Sequence, residues 1–460
     1  MTIEHPGEPR SNDVRRLIGE REPKGLRTYT PTQLVIAKSA GVFHWTPDGR
    51  KLYDFTSGVL VANLGHNPAD WHKRFLRYMG WADRPAGGAF FEAVPLTAYN
   101  AITQVEAEAV RRLTACLQAR PGGRRLEQVL WAASGSEAVQ KALWASLAFN
   151  PSRDRILATR DGFHGKKGLA EAVTGNENDR NRDPRVRFIR FPKQECADLS
   201  LRGAPYDPSP VLAELEAIRA EGRGVACLIT EPYLGGGGSY HPPKSYLQAL
   251  QDWCRRNDVI FILDEIQSNF GRTGKLFAFE TYGLEPDIVV LGKGLGNGVP
   301  VACAVGRADV LGSLGYGEGS DTYSANPLGC AAVLATLDLY EQTDILERAR
   351  RVSRVLEAGL VELKKTPLIR HVRGEEGGMV WGLEAAEAAG RPAAEVANAL
   401  VLAAYRGDGR GRGVHLLGPL SQKVIRVAPP LVLSETEARD ALEALTACFR
   451  ETERRLSGKP

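Results

Sequence analysis

Paired cysteines are missing from this chain of 460 residues: Cys116, Cys196, Cys227, Cys254, Cys303, Cys330 and Cys448 stand singly, odd in number and without Cys-x-x-Cys or zinc spacing. That argues against a disulfide framework and a cysteine-based zinc site, and most of the seven sit in apolar runs as buried thiols. The opening MTIEHPGEPRSND has no basic segment followed by an apolar one, and no run approaches the length of a membrane span. Neither export nor anchoring is expected, which places the chain in the cytoplasm. Charge of one sign is also lacking: the net charge of +4 is too mild to argue for nucleic acid, and the arginines from Arg180 to Arg190 read as a solvated face. There is no GxSxG elbow, no HExxH and no GKS or GKT loop, so serine hydrolase, metalloprotease and P-loop readings have no motif, and no metal is expected. GLGNG at 294 has Val299 where a GxGxxG pattern needs its last glycine, and it leads into Val-Pro, which removes the dinucleotide reading. No internal repeat is visible, and low complexity is confined to Gly235 to Gly238 and GDGRGRG at 407.

What remains is an ordinary globular composition, 43% hydrophobic and 25% charged, on a chain long enough for one large domain and one smaller one. GVFHWTPDGRKLYDF reads as a hairpin around a Pro-Asp-Gly turn. From there to about Tyr340, apolar runs alternate with helical stretches: VLWAA at 129, RILAT at 155, VRFIRF at 186, ACLIT at 226, VIFIL at 259, DIVVL at 287 and ACAVG at 302 are the predicted strands. Such alternation predicts an α/β fold with a mostly parallel, doubly wound sheet. After Asn326-Pro327 a long helix-forming stretch without strand signals crosses into a smaller α+β terminal domain, with strands in GGMVWGLEA and KVIRVAPPLVL and a final helix in ETEARDALEALTACFRETERRL. The expected division is an N-terminal segment, 1–70, packing with the small domain, a large domain, 71–340, and a C-terminal small domain, 341–460.

Three of the apolar runs end in charge: VACLITE on Glu231, VIFILDE on Asp264 with Glu265, and DIVVLGK on Lys293. Buried parallel strands read as continuous Val/Ile/Leu runs, and ligands of open α/β sheets sit at their carboxyl ends, so these charges are expected to face one crevice. A lysine leaving such a strand, cleared by the glycines of GKG, suits imine formation with a carbonyl cofactor. A solvated lysine is the commoner fate of that residue type, but Asp264 at a neighbouring strand end could keep a pyridine nitrogen protonated. SGSEA at 134 leads from a strand into a helix whose first amides could hold a phosphate, although Ser134 and Glu137 also satisfy a capping box. Candidates for the lysine, the carboxylate and the phosphate site that pyridoxal 5'-phosphate needs are therefore all at strand ends.

With DFTSGVLVANLGHNP at 54, SGSEA at 134, GFHG at 162, Glu231-Pro232, DEIQSNFGRTGK at 264, PDIVVLGKGLGNGVP at 286, TYSANPLGCAA at 322 and IRVAPPL at 425, the chain resembles the class III aminotransferases, fold-type I pyridoxal phosphate enzymes such as the 4-aminobutyrate, ornithine and acetylornithine aminotransferases. The resemblance implies that Lys293 is both the imine lysine and the base that moves the substrate's α-proton, and that Asp264 pairs with the pyridine nitrogen. It further implies that Gln267 reaches the ring hydroxyl, that Ile266 and Phe163 cover the two ring faces, and that the amides of Gly135 and Ser136 hold the phosphate, with Thr322 arriving from the second subunit of a homodimer. In ω-amino acid transaminases Glu231 and Arg426 would form a switch, Glu231 neutralising Arg426 until the α-carboxylate of 2-oxoglutarate takes its place. Val59, Lys166 and Phe90 or Phe91 are the candidate donor-side contacts.

EPYLGGGG replaces the family's frequent EPVQGEGG, which puts Leu234 and Gly236 where two polar residues are common. Lys166 stands where relatives with acidic donors often have arginine, Asp321 where serine is common, and Ser324-Ala325 where a Gly-Gly pair is common. The expected activity is a ping-pong transfer of an amino group, through pyridoxamine phosphate, from an ω-amino acid or related amine to a 2-oxo acid such as 2-oxoglutarate. The alternatives are another enzyme on the same scaffold, an aminomutase, racemase or decarboxylase, or a cofactor-binding regulatory module.

Overall fold

Val and Ile, branched at Cβ, fit a pleated surface better than a helix, and the apolar runs rich in them become strands. The structure, a computed structural model, describes residues 3–82 and 88–458. Three short strands come first, β1 (Lys38–Ala40), β2 (Phe43–Trp45) and β3 (Lys51–Asp54). Seven follow, β4 (Gln128–Ala132), β5 (Arg155–Thr159), β6 (Val186–Ile189), β7 (Val225–Thr230), β8 (Ile260–Asp264), β9 (Ile288–Leu291) and β10 (Ala302–Gly306). Five more close the chain, β11 (Ile369–Gly374), β12 (Trp381–Ala385), β13 (Gly413–His415), β14 (Leu417–Leu420) and β15 (Val424–Val427).

Ala69–Leu346 form one compact unit. Its sheet runs β4-β10-β9-β8-β7-β5-β6. The steps from β9 through β8, β7 and β5 to β6 are all parallel, whereas β10 is antiparallel to both of its neighbours. The result is the mostly parallel α/β sheet of fold-type I enzymes. Every residue of β7, β8 and β9 is buried, as strands covered on both faces must be. One of the covering helices, Gly135–Phe149, packs Ala138, Val139, Ala142 and Leu143 into the core that also holds Ile229, Ile262 and Val290. Parallel neighbours lie about 4.8 Å apart, so the carboxyl ends of β7, β8 and β9 deliver their next residues side by side.

Residues 1–68 and 347–460 form the other unit. It contains two four-stranded sheets, β1-β2-β3-β13 and β11-β12-β15-β14. The expected hairpin is there: β2 pairs antiparallel with β3, Phe43 opposite Tyr53, and Gly49 closes the turn at a φ of 86°. β13 then joins β3 in parallel, setting His415 opposite Asp54. The stretch after Pro327 is two helices, Pro327–Gln342 and Ile345–Leu363. Thr343 breaks it in an extended conformation while its hydroxyl donates to the Leu339 carbonyl, the local bonding by which such side chains compete with a helix. The last helix, Glu435–Leu456, begins in a reciprocal capping box between Ser434 and Glu437.

Candidate active site

At the carboxyl ends of β7, β8 and β9 lies a cavity of about 240 Å³, lined by Gly135, Ser136, Phe163, His164, Gly165, Glu231, Asp264, Ile266, Gln267 and Lys293. Lys293 follows β9 and opens a short 3-10 turn, Lys293–Leu295, at a φ of 49°. A lysine gains nothing intrinsic from the left-handed region, so the surrounding chain imposes it; such strain is typical of functional positions. Just before it, the Gly292 carbonyl accepts from the side-chain amide of Asn269 at 3.1 Å.

Asp264, the last residue of β8, is buried, and its oxygens are divided between two partners. One accepts the Ile266 amide at 3.0 Å and the other lies 2.7 Å from His164 Nδ1. The carboxylate therefore stays fixed in the cavity with a charge-assisted hydrogen bond behind it. His164 is itself wholly buried, and its Nε2 has no hydrogen-bond partner among the described residues. The Thr174 hydroxyl accepts the His164 amide at 2.8 Å and anchors the backbone of that turn.

Glycines shape the walls. A Cβ on Gly135 would lie 2.8 Å from Ile266 Cδ1, and one on Gly235 would lie 2.3 Å from Gln267 Oε1. Gln267 Oε1 is buried without a hydrogen-bond partner among the described residues, an acceptor left for a bound group's hydroxyl. Helix Gly135–Phe149 starts at the cavity with the capping box of Ser134 and Glu137, and the box leaves room for a phosphate because capping engages only some of the first amides. Gly236 approaches Phe163 closely enough that a Cβ would come within 3.0 Å of its Cβ, and Phe163 is 38% exposed, a ring half open to the cavity.

Glu231 receives the Phe163 amide at 2.8 Å on one oxygen and the Gly235 amide at 3.0 Å on the other. Burial pushes its carboxyl up to about 7, with nearby Asp264 adding to the rise. Glu265 corrects the expectation that every strand-end charge faces the crevice. It points the other way, because successive side chains alternate, and its two oxygens accept the amides of Ala278 and Phe279 at the start of a short helix.

Of the remaining expected residues, Lys166 is exposed next to Gly165, and Thr322 is exposed in the turn before helix Pro327–Gln342, outside the cavity lining. Val59 and Arg426 belong to the unit of residues 1–68 and 347–460: Val59 is exposed at a φ of 67°, and Arg426 is buried in β15 opposite Gly382 of β12. His164 is a cavity-lining residue that reasoning from sequence passed over, although it stands inside the GFHG segment already singled out. A histidine directly before a glycine was the available signal, but its partner is 100 positions away.

The chain is similar to known proteins along most of its length. The family model of the class-III aminotransferases matches residues 25–449. The ornithine aminotransferase of Bacillus cereus strain Q1 is 31% identical over 438 residues, covering 92% of this chain and 96% of that one. The 5-aminovalerate aminotransferase DavT of Pseudomonas aeruginosa is 30% identical over 440 residues, covering 93% and 96%. The crystal structure of acetylornithine aminotransferase from Elizabethkingia anophelis aligns with a TM-score of 0.76 at 26% identity, covering 96% of this chain and 99% of that chain.

Proposed function

Since the chain belongs to the class III aminotransferases, a family of pyridoxal phosphate enzymes, we propose that it transfers the amino group of an ω-amino acid or related amine to a 2-oxo acid, with 2-oxoglutarate as acceptor. The observation that carries this reading is one cavity lined by Lys293, Asp264, Gln267 and the start of helix Gly135–Phe149. These residues fit the cofactor. Gln267 Oε1 is an open acceptor, Gly135 leaves room for Ile266, and Asp264 is held by His164 where a pyridinium would pair with it. Bound there, pyridoxal phosphate supplies an electron sink for the substrate's α-carbon.

The chain's own residues do the rest. Lys293 Nζ would take the α-proton and return it to the carbon on the other side of the amino nitrogen, which requires an uncharged amine at that moment. Asp264 keeps the ring nitrogen protonated, Ile266 and Phe163 fix the plane, and the amides of Gly135 and Ser136 anchor the phosphate. Arg426, Glu231, Val59 and Lys166 are the candidates for substrate contact. The relatives named for ornithine, acetylornithine and 5-aminovalerate support an ω-amino donor.

A homodimer is part of the same reading, with Thr322 contributed to the partner's phosphate site. The unit of Ala69–Leu346 exposes Phe90, Ile102 and Tyr316 almost fully, with Leu96 and Tyr99 also exposed, apolar surface of the kind an interface covers. No helix among the described residues is long and apolar enough to cross a membrane, and a cytoplasmic location is proposed.

The test is the absorbance of the purified holoenzyme while single amines and amino acids are added without acceptor. A donor should convert the lysine-bound cofactor band to that of the amine form, and 2-oxoglutarate should restore it. A bound cofactor that no amine converts would favour an aminomutase, racemase, decarboxylase or regulatory protein instead.

A further inference from the structure

Within the unit of residues 1–68 and 347–460, three side chains converge on one point. His44 of β2, Asp54 at the end of β3 and His66 each offer one ligand atom, and these atoms lie within 4.8 Å of one another. His66 Nε2 is 2.7 Å and His44 Nε2 is 3.4 Å from the same oxygen, Asp54 Oδ2. A tetrahedral zinc ion, with ligands at about 2.0–2.1 Å, separates its ligand atoms by about 3.3–3.4 Å, so of the two pairs made with Asp54 one already stands at the spacing and the other need open by only a fraction of an ångström, while the two imidazole nitrogens lie no more than 4.8 Å apart.

We propose that His44, Asp54 and His66 bind one divalent transition-metal ion of the zinc, cobalt or nickel type. Two imidazoles with one carboxylate suit those ions and not calcium or magnesium, which prefer oxygen throughout. The groups around the ligands are arranged as outer partners of a metal site. Ser39 Oγ is 2.7 Å from His44 Nδ1, and the Thr56 amide and hydroxyl both donate to Asp54 Oδ1 at 2.7 Å. When His44 Nε2 gives its lone pair to the ion, the ring proton resides on Nδ1 and Ser39 Oγ accepts it. The fourth position belongs to water or to His415, the register partner of Asp54, whose Nδ1 is buried without a hydrogen-bond partner among the described residues.

The ligands sit on elements that hold them. His66 is bridged to Gly41 by reciprocal backbone hydrogen bonds of 2.9 Å, and β2 and β3 are paired strands. Asp54 and His44 are almost completely buried, whereas His66 keeps 17% of its side chain exposed and offers the ion a way in. Between Asp54 and His66 the chain holds Ser57, Val59 and Leu60 at positive φ, so the ion would brace both ends of a strained segment.

The test is titration of untagged, chelator-treated holoenzyme with Co²⁺. One ion per chain should bind with the visible ligand-field bands of a four-coordinate site, and Zn²⁺ should bleach them. His44→Phe should abolish the bands, and Ser39→Ala, which leaves all three ligands in place, should weaken binding roughly tenfold. Zn²⁺ should raise the melting temperature of the wild type and not of His44→Phe. A wild-type protein that shows no such bands at equimolar Co²⁺, or a folded His44→Phe protein that binds like the wild type, would overturn the proposal and leave a set of imidazoles hydrogen-bonded to a carboxylate. If His44→Phe fails to fold, the wild-type spectrum and Ser39→Ala decide the question.

Discussion

His164 shows how much one buried side chain can govern in this cavity. It gives one oxygen of Asp264 a partner at 2.7 Å, so the carboxylate keeps its position. A hydrogen bond to a charged group contributes about 1.5–3 kcal/mol, and His164→Leu should therefore lower kcat/KM roughly 10–100-fold and weaken cofactor retention, both measurable by steady-state kinetics and cofactor absorbance. Lys293→Ala should abolish turnover and remove the absorbance of the lysine-bound cofactor, and full activity in that variant would refute the assignment of Lys293 as the base. The two sequence neighbours Asp264 and Glu265 make the complementary point. One lines the cavity and the other serves a helix start, a division set by the alternation of side chains at the end of β8.

Elements meet in this cavity through glycines. Gly135 begins a helix at the point where Ile266 crosses it, and Gly135→Ala would place a methyl 2.8 Å from Ile266 Cδ1. Ile266, proposed to cover one face of the cofactor ring, would have to shift, and the expected outcome is a higher dissociation constant for the cofactor with the fold retained, read by equilibrium dialysis and circular dichroism. The start of helix Ala278–Tyr282 depends on Glu265, which accepts two of its free amides. Glu265→Ala would leave both buried and unpaired, a loss of about 2 kcal/mol or more in unfolding free energy, visible as a lower melting temperature. These helix and strand boundaries were largely legible: β7, β8 and β9 announce themselves as apolar runs, and Ser134 with Glu137 announces the helix that follows. The break at Thr343 was not, because the apolar periodicity continues on both sides of it.

For the molecule as a whole, buried carboxyl groups give stability a definite pH dependence. Burial holds Glu265 up to about 8 in the folded chain, above its ordinary carboxyl value. The folded state thus binds this proton more tightly than the unfolded one, and the contribution is complete below the unfolded value and is lost as pH rises through about 8. Glu265→Gln cannot ionise, so its melting temperature relative to the wild type should rise between about pH 5 and pH 8, the span from the ordinary carboxyl value to the folded one. A constant difference across that range would show that Glu265 keeps an ordinary carboxyl value in the fold. Long-range pairing is the other whole-molecule property. β13 joins β3 across most of the chain length, bringing His415 opposite Asp54, and no local pattern encodes such a pair.

By itself the sequence determined where the strands of the large sheet lie and which of them end in a carboxylate or an amine, because hydrophobic period and residue chemistry are local properties; the short strands β1, β11, β13 and β14 carry no such pattern. It therefore pointed to Lys293, Asp264 and the start of helix Gly135–Phe149 as one site. Only the tertiary structure decided which strand-end charge turns inward, that His164 stands behind Asp264, and that His44, Asp54 and His66 converge. Those outcomes depend on the direction of each side chain and on the pairing of segments far apart in the chain, and both are settled by packing rather than by neighbouring residues.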